Sequence, residues 1–204
     1  MVYNILMDTT FYNDFFSPEE IAQIKAVVDH ELATRVQVNN EDFTFIDTNN
    51  IVEQNYLGRI VMQGVPLPNN IIAKVKELLP DVWKFDVSPD LVGITYNQWS
   101  NKYGEPKLSS HIDKNTLGLI FDYQLESNTQ WTLGVAETPY PMEDNDMICL
   151  YPTRDYHWRA EKKFNDGEYV SLLFFEFAGV GLEPQLDPVR EKAAQVARDK
   201  ASQL

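Results

Sequence analysis

Cysteine and basic charge are what this chain has least of, and each shortage removes a class of explanation. A single cysteine, Cys149, among 204 residues excludes an intrachain disulfide framework. It lies in the apolar run Met147-Ile148-Cys149-Leu150, where a thiol packs as a small core hydrophobe. Lysine and arginine together number 17 against 31 aspartates and glutamates, giving a net charge of −14. A field of that sign repels phosphate backbones and anionic lipid surfaces, so neither nucleic acid nor a membrane is expected as a partner. No apolar run reaches the roughly 18 residues that a bilayer span requires. The stretch Met1 to Asp8 lacks the basic and apolar regions of a secretion signal. The expectation is a soluble, intracellular (cytoplasmic) protein. Internal repeats and low-complexity segments are also missing.

What remains is rich in core-forming residues. Hydrophobic side chains make up 44% of the sequence and aromatics 12%, enough for a substantial core in one domain. Three parts can be read along the chain: residues 1–90, which carry helical patterns; residues 91–182, which read as strands; and residues 183–204, a charged, alanine-rich helix or tail.

Ser17-Pro18-Glu19-Glu20 has the form of a capping box with proline at the first helical position. Ile21, Ile24, Val28 and Leu32 then repeat at helical spacing, which predicts a helix over roughly 18–35. Asn69-Asn70 precede a second helical pattern in Ile71, Ile72, Val75, Leu78 and Leu79, which Pro80 should stop. Beyond residue 91 the runs are short and rich in β-branched and aromatic residues: 91–96, 116–125, 131–135, 147–151, 156–159 and 169–177. Turn-formers such as Asp144-Asn145-Asp146 and Asn165-Asp166-Gly167 separate them. The fold class expected is α+β, mainly β, with a sandwich or barrel in the second half.

Histidine is scarce too, and two of the three present carry the chemistry. His111 opens a His-Ile-Asp triplet ending at Asp113, and His157 lies on a later strand pattern with Arg159 two residues on. Residues i and i+2 of a strand share a face, so His111 and Asp113 can converge, as can His157 and Arg159. Two imidazoles and a carboxylate are a ligand set that holds Fe(II) on one side and leaves positions open on the other. His30 sits in the first helical pattern and reads as structural or solvated. The plain alternative is a turn-capping pair at 111–113 and an exposed His157.

Ile94-Thr95-Tyr96, Tyr103-Gly104, Leu108, His111-Ile112-Asp113, the strand over 117–125 and the distal His157 together resemble the Fe(II)- and 2-oxoglutarate-dependent dioxygenase superfamily, nearest in pattern to its prolyl-hydroxylase-like members. The resemblance covers roughly residues 91–180. It implies a double-stranded β-helix (jelly roll) with N-terminal helices packed on one sheet. It further implies His111, Asp113 and His157 as metal ligands, with Fe(II), 2-oxoglutarate and O2 as cofactor and co-substrates. The substrate would be a protein or peptide side chain or a small metabolite. Family members commonly place the arginine for the remote carboxylate of 2-oxoglutarate on the last strand, where this chain has Tyr169. Arg159 is therefore the expected cation, with Arg154, Lys162 and Lys163 in reserve. Tyr103 and Tyr123 are expected to donate hydroxyls to the co-substrate. Trp99, Trp131 and Trp158 are possible cleft walls. Lys114, Asn115 and Asp155 flank the ligands, and the segments 47–68, 139–146 and 154–164 are the loops expected to select substrate. Two other readings stay open: a non-catalytic, cupin-like binding module, and a zinc site that activates water.

Overall fold

The computed structural model describes residues 9–39, 59–79, 88–101, 104–113 and 117–178. Helix α1 spans Pro18–Asn39 and α2 spans Asn69–Lys76. The capping box closes as its sequence implies: Ser17 N–H donates to Glu20 Oε2 at 2.8 Å, and Glu20 N–H donates to Ser17 Oγ at 3.3 Å. Helix α2 stops short of Pro80 because its last turn tightens. Leu78 N–H bonds to Val75 O and Leu79 N–H to Lys76 O, three residues back instead of four.

Among the described residues ten strands follow the chain: β1 (Thr10–Tyr12), β2 (Ile60–Gln63), β3 (Asp90–Asn97), β4 (Leu108–His111), β5 (Leu117–Ser127), β6 (Leu133–Val135), β7 (Thr138–Tyr140), β8 (Met147–Leu150), β9 (His157–Arg159) and β10 (Tyr169–Ala178). They form a six-stranded sheet in the order β1-β8-β5-β10-β3-β2 and a four-stranded sheet in the order β4-β9-β6-β7, with every pairing antiparallel. The expected strands are all present. β1, β2, β4 and β7 are additions, each too short to show a period of its own. β2 corrects the reading of 47–68 as a substrate loop: Ile60–Gln63 pair with Gln63↔Val92 through Ile60↔Thr95 and extend the large sheet. The rest of that segment up to residue 58, and the tail at 183–204, lie outside the described residues.

Strand alternation sorts the large sheet into two faces. One face presents Phe121, Tyr123, Leu173, Phe175 and Phe177 to Ile24 and Val28 of α1 and Ile71 and Val75 of α2. The other presents Val170, Leu172, Ile94, Tyr96 and Val61, packed with Trp131 and Phe164. At the β8 end, Ile148 and Leu150 meet Leu133 and Val135 of the small sheet. The two sheets therefore face each other, and both helices cover the outer side of the large one. Among the described residues no helix is long and apolar enough to cross a membrane.

Candidate metal centre

The small sheet positions the expected ligands. β4 and β9 pair with His111 opposite His157. On the other side of β9, Gly134 of β6 lies opposite Trp158, and a Cβ at that glycine would fall 2.0 Å from Trp158 Cε2. Only glycine lets the indole lie against β6, and that leaves His157 and Arg159 on the opposite, inward face. Asp113 falls just beyond the end of β4, where its N–H donates to Pro152 O at 2.8 Å. Convergence of His111 and Asp113 thus comes from a strand end and an anchored loop, not from one continuous strand.

Asp113 Oδ1 lies 3.1 Å from His111 Nε2 and 3.9 Å from His157 Nε2, and one ligand atom from each residue falls within 4.8 Å of the others. The imidazole rings are 4.4 Å apart between centroids. Each Nδ1 faces a backbone carbonyl, Ser109 O at 2.8 Å from His111 and Asp155 O at 3.2 Å from His157. A carbonyl can only accept, so both Nδ1 atoms carry protons and both Nε2 atoms turn toward Asp113, where each can hold a proton or a metal ion. Two lone pairs and a carboxylate oxygen facing one another are repulsive unless a cation or a proton lies among them. Electrostatics express the same conflict. The hydrogen bond to Asp113 raises His111 above the ordinary histidine range, while burial, and then the charge of His111, push His157 below it. Burial favours the neutral form of Asp113, but the His111 hydrogen bond and the charges of His157, His111 and Arg59 outweigh it and hold the carboxyl below its usual value. The donor set and its orientation fit a divalent transition metal with open coordination positions.

No family model matches this sequence, and no curated protein matches it by sequence. Solved structures do. AviO1 from Streptomyces viridochromogenes superposes with a TM-score of 0.59 at 15% identity, over 86% of this chain and 91% of that one. A prolyl-4-hydroxylase from Pseudomonas putida gives 0.58 at 10% identity, over 84% and 92%. EvdMO1 gives 0.52 at 12% identity, over 83% of this chain and 47% of its own. What is shared is the fold.

Within that fold the other expected residues part company. Arg159 does face inward, but it is sealed at 3% exposure. Its Nη1 donates to Trp131 O at 2.6 Å, its Nη2 lies 3.4 Å from Asp122 Oδ2, and its guanidinium stands 5.3 Å from the Trp131 ring centroid. Asp122 is equally buried, and its Oδ1 has no hydrogen-bond partner. Burial raises the Asp122 carboxyl in spite of Arg159. Tyr123 is not brought to the metal group: since Asp122 faces inward, the next residue must face the helices, and its hydroxyl donates to Asn145 Oδ1 at 3.2 Å. Tyr103, Lys114 and Asn115 lie outside the described residues. Of the reserve cations, Arg154 Nη2 pairs with Asp155 Oδ2 at 2.6 Å, Lys162 reaches Glu168 at 3.9 Å, and Lys163 is exposed. Trp131 packs edge-on to Tyr96 and Phe164 in the inner cluster.

Asp122, described above, escaped the sequence reading, and so did two further inward residues, Arg59 and Glu176. Arg59 precedes β2 on the same face as Val61, and its Nη1 donates to Tyr96 Oη at 3.1 Å. Glu176 follows Phe174 by two on β10 and so faces the small sheet; burial, then Asp113 and Asp90, push its carboxyl up to about 7. A carboxylate inside the apolar run Leu172-Leu173-Phe174-Phe175-Glu176-Phe177 was the available signal, because a charge among core residues needs a reason to be there. Arg59 offered a weaker one, ahead of Ile60-Val61-Met62.

Proposed function

We propose that this protein is a metal-dependent oxygenase of the Fe(II)/2-oxoglutarate type, built on a double-stranded β-helix formed within residues 1–182. The observation that carries the reading is the orientation of the three ligand atoms. Both imidazoles are tied back through Nδ1 so that their Nε2 lone pairs aim at the space beside Asp113 Oδ1. In this reading His111, Asp113 and His157 hold the metal on one side. Bound Fe(II), with 2-oxoglutarate and O2, supplies the oxidising chemistry for hydroxylation of a peptide side chain or small metabolite.

The chain's own contribution is placement. The carbonyls of Ser109 and Asp155 fix each ring's tautomer, and Pro152 O fixes the loop that carries Asp113. Tyr96, Trp131 and Phe164 pack together on the inner face as an apolar cluster that excludes water. Arg159 enters this reading as a cation for the remote carboxylate only by sharing its fork with Asp122. That shared fork is the one observation favouring the runner-up, a non-catalytic binding module on the same fold.

Anaerobic titration of the Fe(II)-loaded protein with 2-oxoglutarate separates the two. The oxygenase reading expects the weak visible charge-transfer band of a chelated keto acid in the wild type. It expects no metal binding and no band in His111→Ala or Asp113→Ala. Metal binding without a band at saturating keto acid would leave the binding module.

A further inference from the structure

The turn that carries the chain from one sheet to the other holds two of the three ligands. The chain leaves the large sheet at Leu150, the end of β8, and enters the small sheet at His157, the start of β9. Between them it turns tightly: Arg154 N–H and Asp155 N–H both donate to Tyr151 O, at 2.9 and 2.7 Å. Two carbonyls of this turn meet the ligand residues. Pro152 O accepts from Asp113 N–H at 2.8 Å, and Asp155 O faces His157 Nδ1 at 3.2 Å. The third ligand, His111, is held within its own strand by Ser109 O.

A carbonyl orients a ligand only as well as it is itself held. The Asp155 side chain does the holding. Its Oδ2 accepts from Tyr151 N–H at 3.2 Å, which runs opposite to the bond from Asp155 N–H to Tyr151 O and ties the two ends of the turn twice. Arg154 donates to both carboxylate oxygens, Nε to Oδ1 at 2.7 Å and Nη2 to Oδ2 at 2.6 Å, and its guanidinium lies 4.5 Å from the Tyr151 ring centroid. Thr9, just ahead of β1, donates its hydroxyl to Oδ2 at 3.3 Å and links the same carboxylate to the edge of the large sheet. Paired, charge-assisted bonds to a carboxylate are strong and directional. The Asp155 side chain is 14% exposed and both its oxygens are engaged, so it faces its own turn and not a substrate.

We propose that Asp155 is a positioning residue of the metal centre: its carboxylate, neutralised by Arg154, locks the turn from Tyr151 to Asp155 and thereby fixes the carbonyls that orient Asp113 and His157. Asp155 supplies no ligand atom to the group. The inference rests on the metal-binding part of the reading above and is independent of the co-substrate.

The test uses the whole chain, loaded with Fe(II) under anaerobic conditions and, separately, with Co(II), whose visible bands report coordination geometry. Asp155→Ala should weaken both ions about 10- to 100-fold, the loss expected when an outer partner of a ligand is removed. At saturating Co(II) its visible bands should shift. In the proton NMR spectrum of the Co(II) protein, each Nδ1–H gives a strongly shifted resonance that disappears in D2O. The variant should move or lose the resonance of His157 and leave that of His111, which Ser109 O holds; a general loosening of the fold would not choose between the rings. Asp155→Asn keeps an oxygen for Tyr151 N–H and should return affinity to within about threefold of the wild type. If Asp155→Ala does not fold, Asp155→Ser takes its place, with its oxygen one bond short of Tyr151 N–H. Phe175→Ala, which weakens the helix-facing core, is the control and should leave affinity and both resonances in place. An Asp155→Ala or Asp155→Ser protein with metal affinity within about twofold of the wild type and unchanged bands and resonances would overturn the proposal and leave the metal reading standing. An equal loss in Phe175→Ala would reduce Asp155 to a stabilising residue and overturn it too. A wild type that binds neither ion overturns the metal reading, and the proposal with it.

Discussion

The two faces of β5 and β10 are written in the same strands and do opposite things. Toward the helices these strands present Phe121, Tyr123, Leu173, Phe175 and Phe177, every one fully or almost fully buried in a continuous apolar cluster. Toward the small sheet they present Asp122, Gln124 and Glu176 among Val170, Leu172 and Phe174. The outer face gains stability from area removed from water. The inner face gives some of that up, because Asp122 Oδ1 and Gln124 Oε1 are buried without partners. A fold can carry such a cost on one side of a sheet when the centre of the other side is apolar, and the difference marks the inner side as serving something besides stability.

The comparison can be broken at three places. Phe175 is 0% exposed in the helix-facing cluster, and Phe175→Ala should cost about 3–5 kcal/mol in denaturant unfolding while leaving the metal-binding isotherm in place. A loss of metal affinity at equal folded population would show that the two faces are not independent.

The Asp122–Arg159 pair is the next test. Arg159→Met strands a buried carboxyl and should cost about 3 kcal/mol, whereas Arg159→Met combined with Asp122→Leu should return to within about 1 kcal/mol of the wild type or exceed it. A single-variant cost below about 1 kcal/mol would mean that Asp122 is already neutral in the folded chain, the state that its burial favours.

Glu176 gives the smallest effect and a pH signature. Its folded pKa, about 7, lies above the ordinary 4.5, so the folded chain binds that proton more tightly than the unfolded chain does. The stability this contributes is complete below 4.5 and is lost as the pH rises through about 7. In the metal-free protein, Glu176→Gln should therefore be the more stable variant at pH 8 by about 1–2 kcal/mol, and its stability should change less across that window. A wild type and a variant with parallel stability–pH curves would place Glu176 in solvent.

Much of this is legible in the amino-acid sequence. The capping box at Ser17 to Glu20, the long alternating strands and the pairing of His-Ile-Asp with a distal histidine all depend on local period or short spacing, which sequence carries directly. The edge strands β1, β2, β4 and β7 are not, because each is three or four residues long with a single neighbour to pair with, and β2 exists only by pairing with β3. Tyr123 shows a subtler failure. Its place in a strand was read correctly, but alternation puts it on the face of Leu119, Phe121 and Leu125, and that this face meets the helices and not the small sheet is a property of the assembled fold. The register of β4 against β9, which puts His111 opposite His157, is equally a property of the assembled sheet.

Gly134 touches no ligand, yet the indole of Trp158 lies across the place where its side chain would be. Any other residue there would displace the tryptophan, and the tryptophan is the immediate neighbour of His157 along β9. In terms of drift over generations, this glycine is bound to the histidine almost as tightly as the histidine is bound to its task. A sequence may exchange one apolar residue for another across the helix-facing core and keep its fold, but at position 134 it has nowhere to go.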